Sequence, residues 1–401
     1  MAHRKVSRTA IFFTAAFFQG FCLTIIPAAS FIFKQPGFGL LTDRQYGLCF
    51  LPMNLSAVFV TIFFKNLLGR FGRGPLLNWG VAGLGGYMAA VWAASCAHTN
   101  HELFLWLLCA NLNLGIGFGL LISVSNLAMV ELYPAQRDAL LMGLHGFLGI
   151  GASLAPLTVE FFYRQAVWPL SHGIYLAAWA LLALLLFLTR PADYCLDSAF
   201  TGACALDLHP AGRMPFFAWV FLGAIFIYGV AESITGNWAT LYLTHEKGFT
   251  FQTAAHALSA FWIFLTLGRI LAAFAALRMD VRILYRLSPL GIFTGLFFLL
   301  GIRQEALAVP VYAALGFSCS YFFPLSVGLS TQYHGRWKDA LSSLGIAAIM
   351  AGVSFGTTLM GVLQNMQRVE ISQTFMLAAA CGALLIVIAW WVTRNRLPGP
   401  V

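Results

Sequence analysis

Two stretches, Glu131-Leu-Tyr-Pro-Ala-Gln-Arg-Asp-Ala-Leu140 and Thr331-Gln-Tyr-His-Gly-Arg-Trp-Lys-Asp-Ala-Leu341, repeat one another about 200 residues apart with one residue inserted. Tyr133 answers to Tyr333, and Asp138-Ala139-Leu140 answers to Asp339-Ala340-Leu341. Each copy stands between two long apolar runs. A recurrence at half the chain length marks two parallel copies of one unit.

Outward from the two copies, apolar runs fall at 9–32, 46–64, 75–97, 103–130, 139–163, 171–189, 215–243, 252–277, 284–302, 306–330, 340–366 and 372–393. Each approaches or exceeds the roughly 20 residues that a hydrocarbon core requires. The 401 residues are 60% hydrophobic and 9% charged, against about 25% charged in a soluble domain. The reading is an all-α membrane protein with twelve transmembrane helices in two parallel six-helix repeats. No room remains for a sizeable soluble catalytic domain. The longest polar stretch, with Pro191, Asp193, Asp197, Asp207 and Pro210, divides the chain into an N-terminal half (1–190), a cytoplasmic linker (191–214) and a C-terminal half (215–401).

Charge sets direction. Lys34, Arg44, Arg164, Lys247, Arg303 and Arg368 fall on one side, Arg269 falls inside a span, and the other sixteen Lys and Arg lie on the opposite side. An excess of basic residues marks the cytoplasm, so both termini are expected there. Met1-Ala-His-Arg-Lys-Val-Ser-Arg8 resembles the basic end of a signal peptide, but the long apolar run behind it lacks a clear cleavage site, and it is expected to remain as the first span. The net charge of +9 is scattered rather than gathered into a patch, so no nucleic-acid partner is expected. The eight Cys are scattered too, and no disulfide framework is expected.

Gly69-Arg70-Phe71-Gly72-Arg73, after the second span, resembles the glycine and arginine signature of the major facilitator superfamily of secondary transporters. Gly69 stands where that signature usually has an acidic residue. The fifth span, His145-Gly-Phe-Leu-Gly-Ile-Gly-Ala-Ser-Leu-Ala-Pro156, resembles the glycine- and proline-rich fifth helix of the same superfamily. Tyr228-Gly-Val-Ala-Glu-Ser-Ile-Thr-Gly-Asn-Trp238, followed by Gly268-Arg269, is similar to the seventh and eighth helices of its fucose and glucose permease branch. The resemblance implies alternating access, with two halves rocking about a midplane cavity. The acidic residues which that branch carries in its first and fourth spans have no match here, because Glu131 lies at the very end of the fourth.

An ionisable side chain inside a span is costly and usually faces a wet cavity. Glu232 lies about 17 residues, or roughly 26 Å, into the seventh span, and shares a face with Tyr228 and Gly236. It reads as a proton or cation site beside the substrate, or else as a carboxylate bonded to a neighbouring helix. Arg269 falls in the cytoplasmic half of the eighth span, on a stripe with Trp262 and Thr266. The depth difference makes it an unexpected partner for Glu232, and it either binds an anionic group or ties a helix end to loop carbonyls. His145 is a second ion-coupling candidate, because imidazole titrates near neutrality, or it is a packing histidine. Glu160 is expected at a solvated outer helix end.

Gln19, Asn54 and Asn126 can bond a polar solute or join helix to helix. Tyr228, Asn237, Trp238, Trp262 and Tyr321 complete the candidate substrate-binding set, since aromatic faces suit a sugar ring or an amphipathic molecule. The candidate gate consists of Arg70, Arg73, Glu131, Asp138, Arg269 and Asp339. Gly115, Gly117 and Gly119 are not a nucleotide fingerprint, because no strand precedes them. Cys96, His98, His101 and Glu102 contain metal ligands by type, but an ordinary polar loop is expected, with no metal and no cofactor.

The expected function is secondary transport of a small polar organic solute such as a sugar, coupled to a proton or other cation. The expected setting is a bacterial inner membrane, and the expected state a monomer. The alternatives are proton-driven export of an amphipathic compound, a membrane-embedded lipid enzyme, for which no convergent nucleophile and base exists, and a sensor that has lost transport.

Overall fold

The computed structural model describes residues 2–38, 40–133, 136–189, 213–366 and 370–394. These are almost wholly helical, as backbone in lipid must be, because every N–H and C=O must find its partner within the protein. The chain forms two compact units, 1–197 and 198–401. The stretch expected as a linker lies almost entirely outside the described residues.

The first unit holds α1 (Ala2–Ala29), the short α2 (Asp43–Cys49), α3 (Leu51–Phe71), α4 (Arg73–Ser95), α5 (Asn100–Leu132), α6 (Arg137–Arg164) and α7 (Trp168–Thr189). The second holds α8 (Phe216–Asn237), a single turn α9 (Ala239–Leu241), α10 (Phe251–Ala276), α11 (Val281–Gly301), α12 (Ala308–Cys319), α13 (Phe322–Tyr333), α14 (Lys338–Asn365) and α15 (Ile371–Arg394). Among the described residues eleven segments are long and apolar enough to cross a membrane, with α12 and α13 forming one of them. The glycine-rich α4, 23 residues long, completes twelve.

Local chemistry places the ends. Thr99 and Thr42 each accept a hydrogen bond from the backbone N–H three residues on, and Glu102 and Gln45 bond back to the capping threonine's N–H. These are capping boxes. Between α3 and α4 the only residue is Gly72, at φ +76°. A side chain there would be strained, so this glycine of the signature lets one helix stop and the next begin at once.

Both units use the same pairing. In the first, α1 packs on α6 and α3 on α5, while in the second, α8 packs on α14 and α10 on α12. Each long pair is closed by facing small residues. A methyl at Gly20 would run into the Leu148 carbonyl of α6, and one at Gly151 into the Phe17 carbonyl of α1. Gly229 and Gly352 meet the backbones of α14 and α8 in the same manner. Such contacts bring helix backbones together where lipid supplies no hydrophobic drive.

Candidate functional site

The tenth predicted span is not one helix. α12 stops at Cys319 and α13 starts at Phe322. Pro324 has no N–H to offer the Ser320 carbonyl four residues back, which loosens the turn. Carbonyls released in this way inside a membrane must find donors elsewhere, and here three consecutive ones do, each from a different helix. Ser288 Oγ of α11 donates to the Ser318 carbonyl at 2.6 Å. Tyr228 Oη of α8 donates to the Cys319 carbonyl at 2.8 Å. Arg269 Nε of α10 donates to the Ser320 carbonyl at 3.2 Å. Gly268 and Gly291 leave the room that Ser320 and Ser318 occupy. The break was missed from sequence, although Pro324 with Ser318 and Ser320 was its visible signal.

Two of those donors also act on Glu232. Glu232 is half-buried one turn on from Tyr228, and both the Tyr228 hydroxyl and the Arg269 guanidinium act on its carboxyl. Counting depth along the helices had separated Arg269 from Glu232. Side chains lean toward the N-terminus of their own helix, so on two oppositely directed helices these two lean toward each other. They act through space without closing to a contact ion pair. The Tyr228 ring is fixed by stacking on Phe322 at 5.2 Å, and Phe322 stacks in turn on Tyr285 at 4.9 Å.

Trp262 is half-buried on α10, and its ring lies beside Gly236, one turn beyond Glu232. Its indole N–H has no hydrogen-bond partner among the described residues. Glu232, Trp262 and Arg269 thus share one neighbourhood of the second unit. Asn237 donates from Nδ2 to Thr357 Oγ1 at 3.0 Å, bonding α8 to α14, and Trp238 is fully buried. Tyr321 is buried in the break, edge-on to Phe317.

In the first unit Gln19 is fully buried and donates from Nε2 to the Phe118 carbonyl at 3.1 Å. Asn54 is buried and bonds the Phe50 carbonyl of its own helix. The side-chain oxygens of Gln19, Asn54 and Asn126 have no partner among the described residues, and no hydrogen bond joins the three side chains to one another. His145 is half-buried on α6.

At one end of α4 and α5, Arg73 Nη2 donates to Glu131 Oε1 at 2.5 Å, with both side chains about one-sixth exposed. Arg70 is exposed over the Phe71 ring at 5.2 Å. The side chains of Asp138 and Asp339 lie outside the described residues. Burial raises the Glu131 carboxyl above its ordinary 4.5, and the Arg73 charge pulls it part-way back. An acid raised in the fold holds its proton more tightly there than in the unfolded chain, so ionising it costs stability as pH climbs through the raised value. Arg73→Ala removes the opposing charge. Its melting temperature should fall further below the parent's in alkaline than in acid buffer, and Glu131→Gln in the same background should erase that difference.

Glu102 accepts from the backbone N–H of His98 and of Thr99, both at 3.2 Å, which makes it the cap of α5. No metal-ligand cluster occurs among the described residues. Glu160 is not at a solvated end. It is buried at 7% exposure, with Arg164 Nε 3.8 Å away.

A family profile described as Major Facilitator Superfamily matches residues 9–357. The chain belongs to the Major Facilitator Superfamily. It is therefore an integral membrane transporter of small molecules, not an enzyme. Bypass of stop codon protein 6 of Saccharomyces cerevisiae is 28% identical over 193 residues, which are 42% of this chain and only 38% of that protein. Among solved structures, a bacterial homolog of the human lysosomal transporter Spinster superposes with TM-score 0.76 at 13% identity, covering 99% of this chain and 98% of that one. A D-xylose-proton symporter follows at 0.73 and 16%, covering 95% and 96%. The nucleoside transporter NupG gives 0.72 and 15%, covering 96% and 98%. At these identities the likeness is one of fold.

Proposed function

We propose that this superfamily member is a secondary active transporter that moves a small polar organic solute by alternating access, coupled to a proton through Glu232. The observation that carries the reading is a half-buried carboxyl inside a span, flanked by Tyr228 and acted on by Arg269. A group so placed can hold a proton on one side of the membrane and release it on the other. Among the fold's relatives are a D-xylose-proton symporter and a nucleoside transporter, which supports a polar solute. The motif Tyr228 to Trp238 supports kinship with the fucose and glucose permease branch.

Topology enters the same proposal: two parallel six-helix halves, both termini in the cytoplasm of a bacterial cell, and a monomer. Arg70, Arg73 and Glu131 serve the inner gate, with Asp138, Arg269 and Asp339 in related parts. Gln19, Asn54 and Asn126 supply hydrogen-bond acceptors for the solute.

The test is uptake into proteoliposomes from a panel of labelled sugars, nucleosides and small organic acids, with an acid-outside gradient. At least one solute should accumulate above its external concentration and be released by a protonophore. Uptake that stops at equal concentrations for every solute, whatever the gradient, overturns proton coupling.

A further inference from the structure

The guanidinium of Arg269 is only partly used. Its Nε is committed to the Ser320 carbonyl, and among the described residues neither terminal nitrogen has a hydrogen-bond partner. The side chain is half-buried rather than sealed, on a stripe with Trp262 and Thr266. That stripe is distinct from the apolar one formed by Ile263, Phe264, Leu267 and Leu271, which is exposed. Thr266 spends its hydroxyl on the Trp262 carbonyl of its own helix. What remains is a two-pronged cationic donor and an unsatisfied indole N–H, with Glu232 across from them.

The groups that bear on Glu232 come from three helices. Arg269 of α10 and Tyr228 of α8 act on the carboxyl, and Cys319 at the end of α12 lies within its field. α13, α14 and α15 also pack on α8. Their ionisable side chains among the described residues are Tyr333 on α13, Lys338 at the start of α14, and Cys381 and Arg394 on α15, and none of these acts on Glu232; the side chain of Asp339 lies outside the described residues. Arg269 is thus the one cation that does so among the described residues.

Resting on the transport reading above, we propose that the solute is an organic monoanion whose carboxylate is received by Arg269, with one proton taken up on Glu232 in the same event. A carboxylate fits the fork of a guanidinium by two parallel hydrogen bonds. Charge sets the proton count. With Glu232 ionised, Arg269 already balances it, and a monoanion would leave one uncompensated negative charge in a low-dielectric site. With Glu232 protonated, the monoanion and Arg269 balance. One anion and one proton enter together, and the transport step moves no net charge. A dianion would leave the site charged, and a neutral sugar would leave the Arg269 charge uncompensated once Glu232 is protonated.

The test pairs each acid with its neutral counterpart: galacturonate with galactose, gluconate with glucose, lactate with propane-1,2-diol. Binding to the purified full chain is followed by thermal shift and calorimetry at two pH values about two units apart. At least one carboxylate should bind where its neutral partner does not, bind more tightly at the acid pH, and take up one proton, read in buffers of different ionisation enthalpy. Arg269→Lys keeps the charge but loses the fork, and should weaken that binding roughly 10- to 100-fold. Glu232→Gln should bind the carboxylate with neither pH dependence nor proton uptake. The proposal is overturned if the neutral partners bind as well as the acids, if no carboxylate of the set binds at either pH, or if proton uptake persists in Glu232→Gln. Proton-driven accumulation of a neutral solute, unimpaired in Arg269→Lys, also overturns it while leaving coupling through Glu232 intact. Carboxylate-selective binding with full concentrative uptake by Glu232→Gln would instead remove the coupling reading.

Discussion

Glu232→Gln should abolish accumulation driven by a proton gradient while leaving exchange across the membrane at equal pH largely in place. Glutamine keeps the size and hydrogen bonding of the carboxyl but cannot titrate. A gradient of one pH unit is worth about 1.4 kcal/mol per proton, enough for about tenfold accumulation with one proton per solute. The parent should approach that ratio and the variant should stop at equality. The measurement is paired: net uptake under an acid-outside gradient, and counterflow of labelled solute in symmetric buffer. Loss of both would mean that Gln disturbs binding, and then Tyr228→Phe, which frees the Cys319 carbonyl but retains the acid, separates structure from coupling. If net accumulation by Glu232→Gln equals the parent's, the carboxyl is structural and His145 becomes the group to examine.

The second large effect is on assembly. Gly229 faces the backbone of α14 at Ile349 and Gly352, whereas Gly223, less than two turns earlier on the same helix, is exposed and has nothing near its missing side chain. Gly229→Leu forces two helices apart, and overpacking of this kind costs roughly 1–3 kcal/mol or more. In thermal unfolding of the detergent-solubilised protein the variant should lose several degrees or fail to yield a monodisperse species. Gly223→Leu should match or exceed the parent, because leucine is the better helix former. Equal behaviour of the two variants would show that the α8–α14 contact does not hold the second unit together.

The number of membrane helices was legible because lipid is an unforgiving solvent. A segment of about 20 apolar residues has no alternative in it but to be helical, and the Tyr133 and Tyr333 stretches exposed the repetition without any coordinates. Family membership was legible for a related reason. Gly72 must take a left-handed conformation wherever two helices join with no loop, so Gly69 to Arg73 is a local signature read locally.

What tertiary structure decided was whatever depends on donors and acceptors far apart in the chain. Pro324 announces a weakened helix, but whether the helix breaks depends on the carbonyls that it frees, and those are answered by Ser288, Tyr228 and Arg269 from three other helices. That Arg269 acts on Glu232 was hidden from a count of residues along each axis. Axial depth locates a Cα, while charge sits at the end of a side chain that leans toward its own helix's N-terminus and, for arginine, extends far from it. Glu160 likewise stands near the end of its span in both readings, and only the fold shows that it is buried there. Hydropathy is a sum over a window and survives without knowledge of neighbours. Hydrogen bonding and charge pairing are set by neighbours, and only the folded unit supplies them.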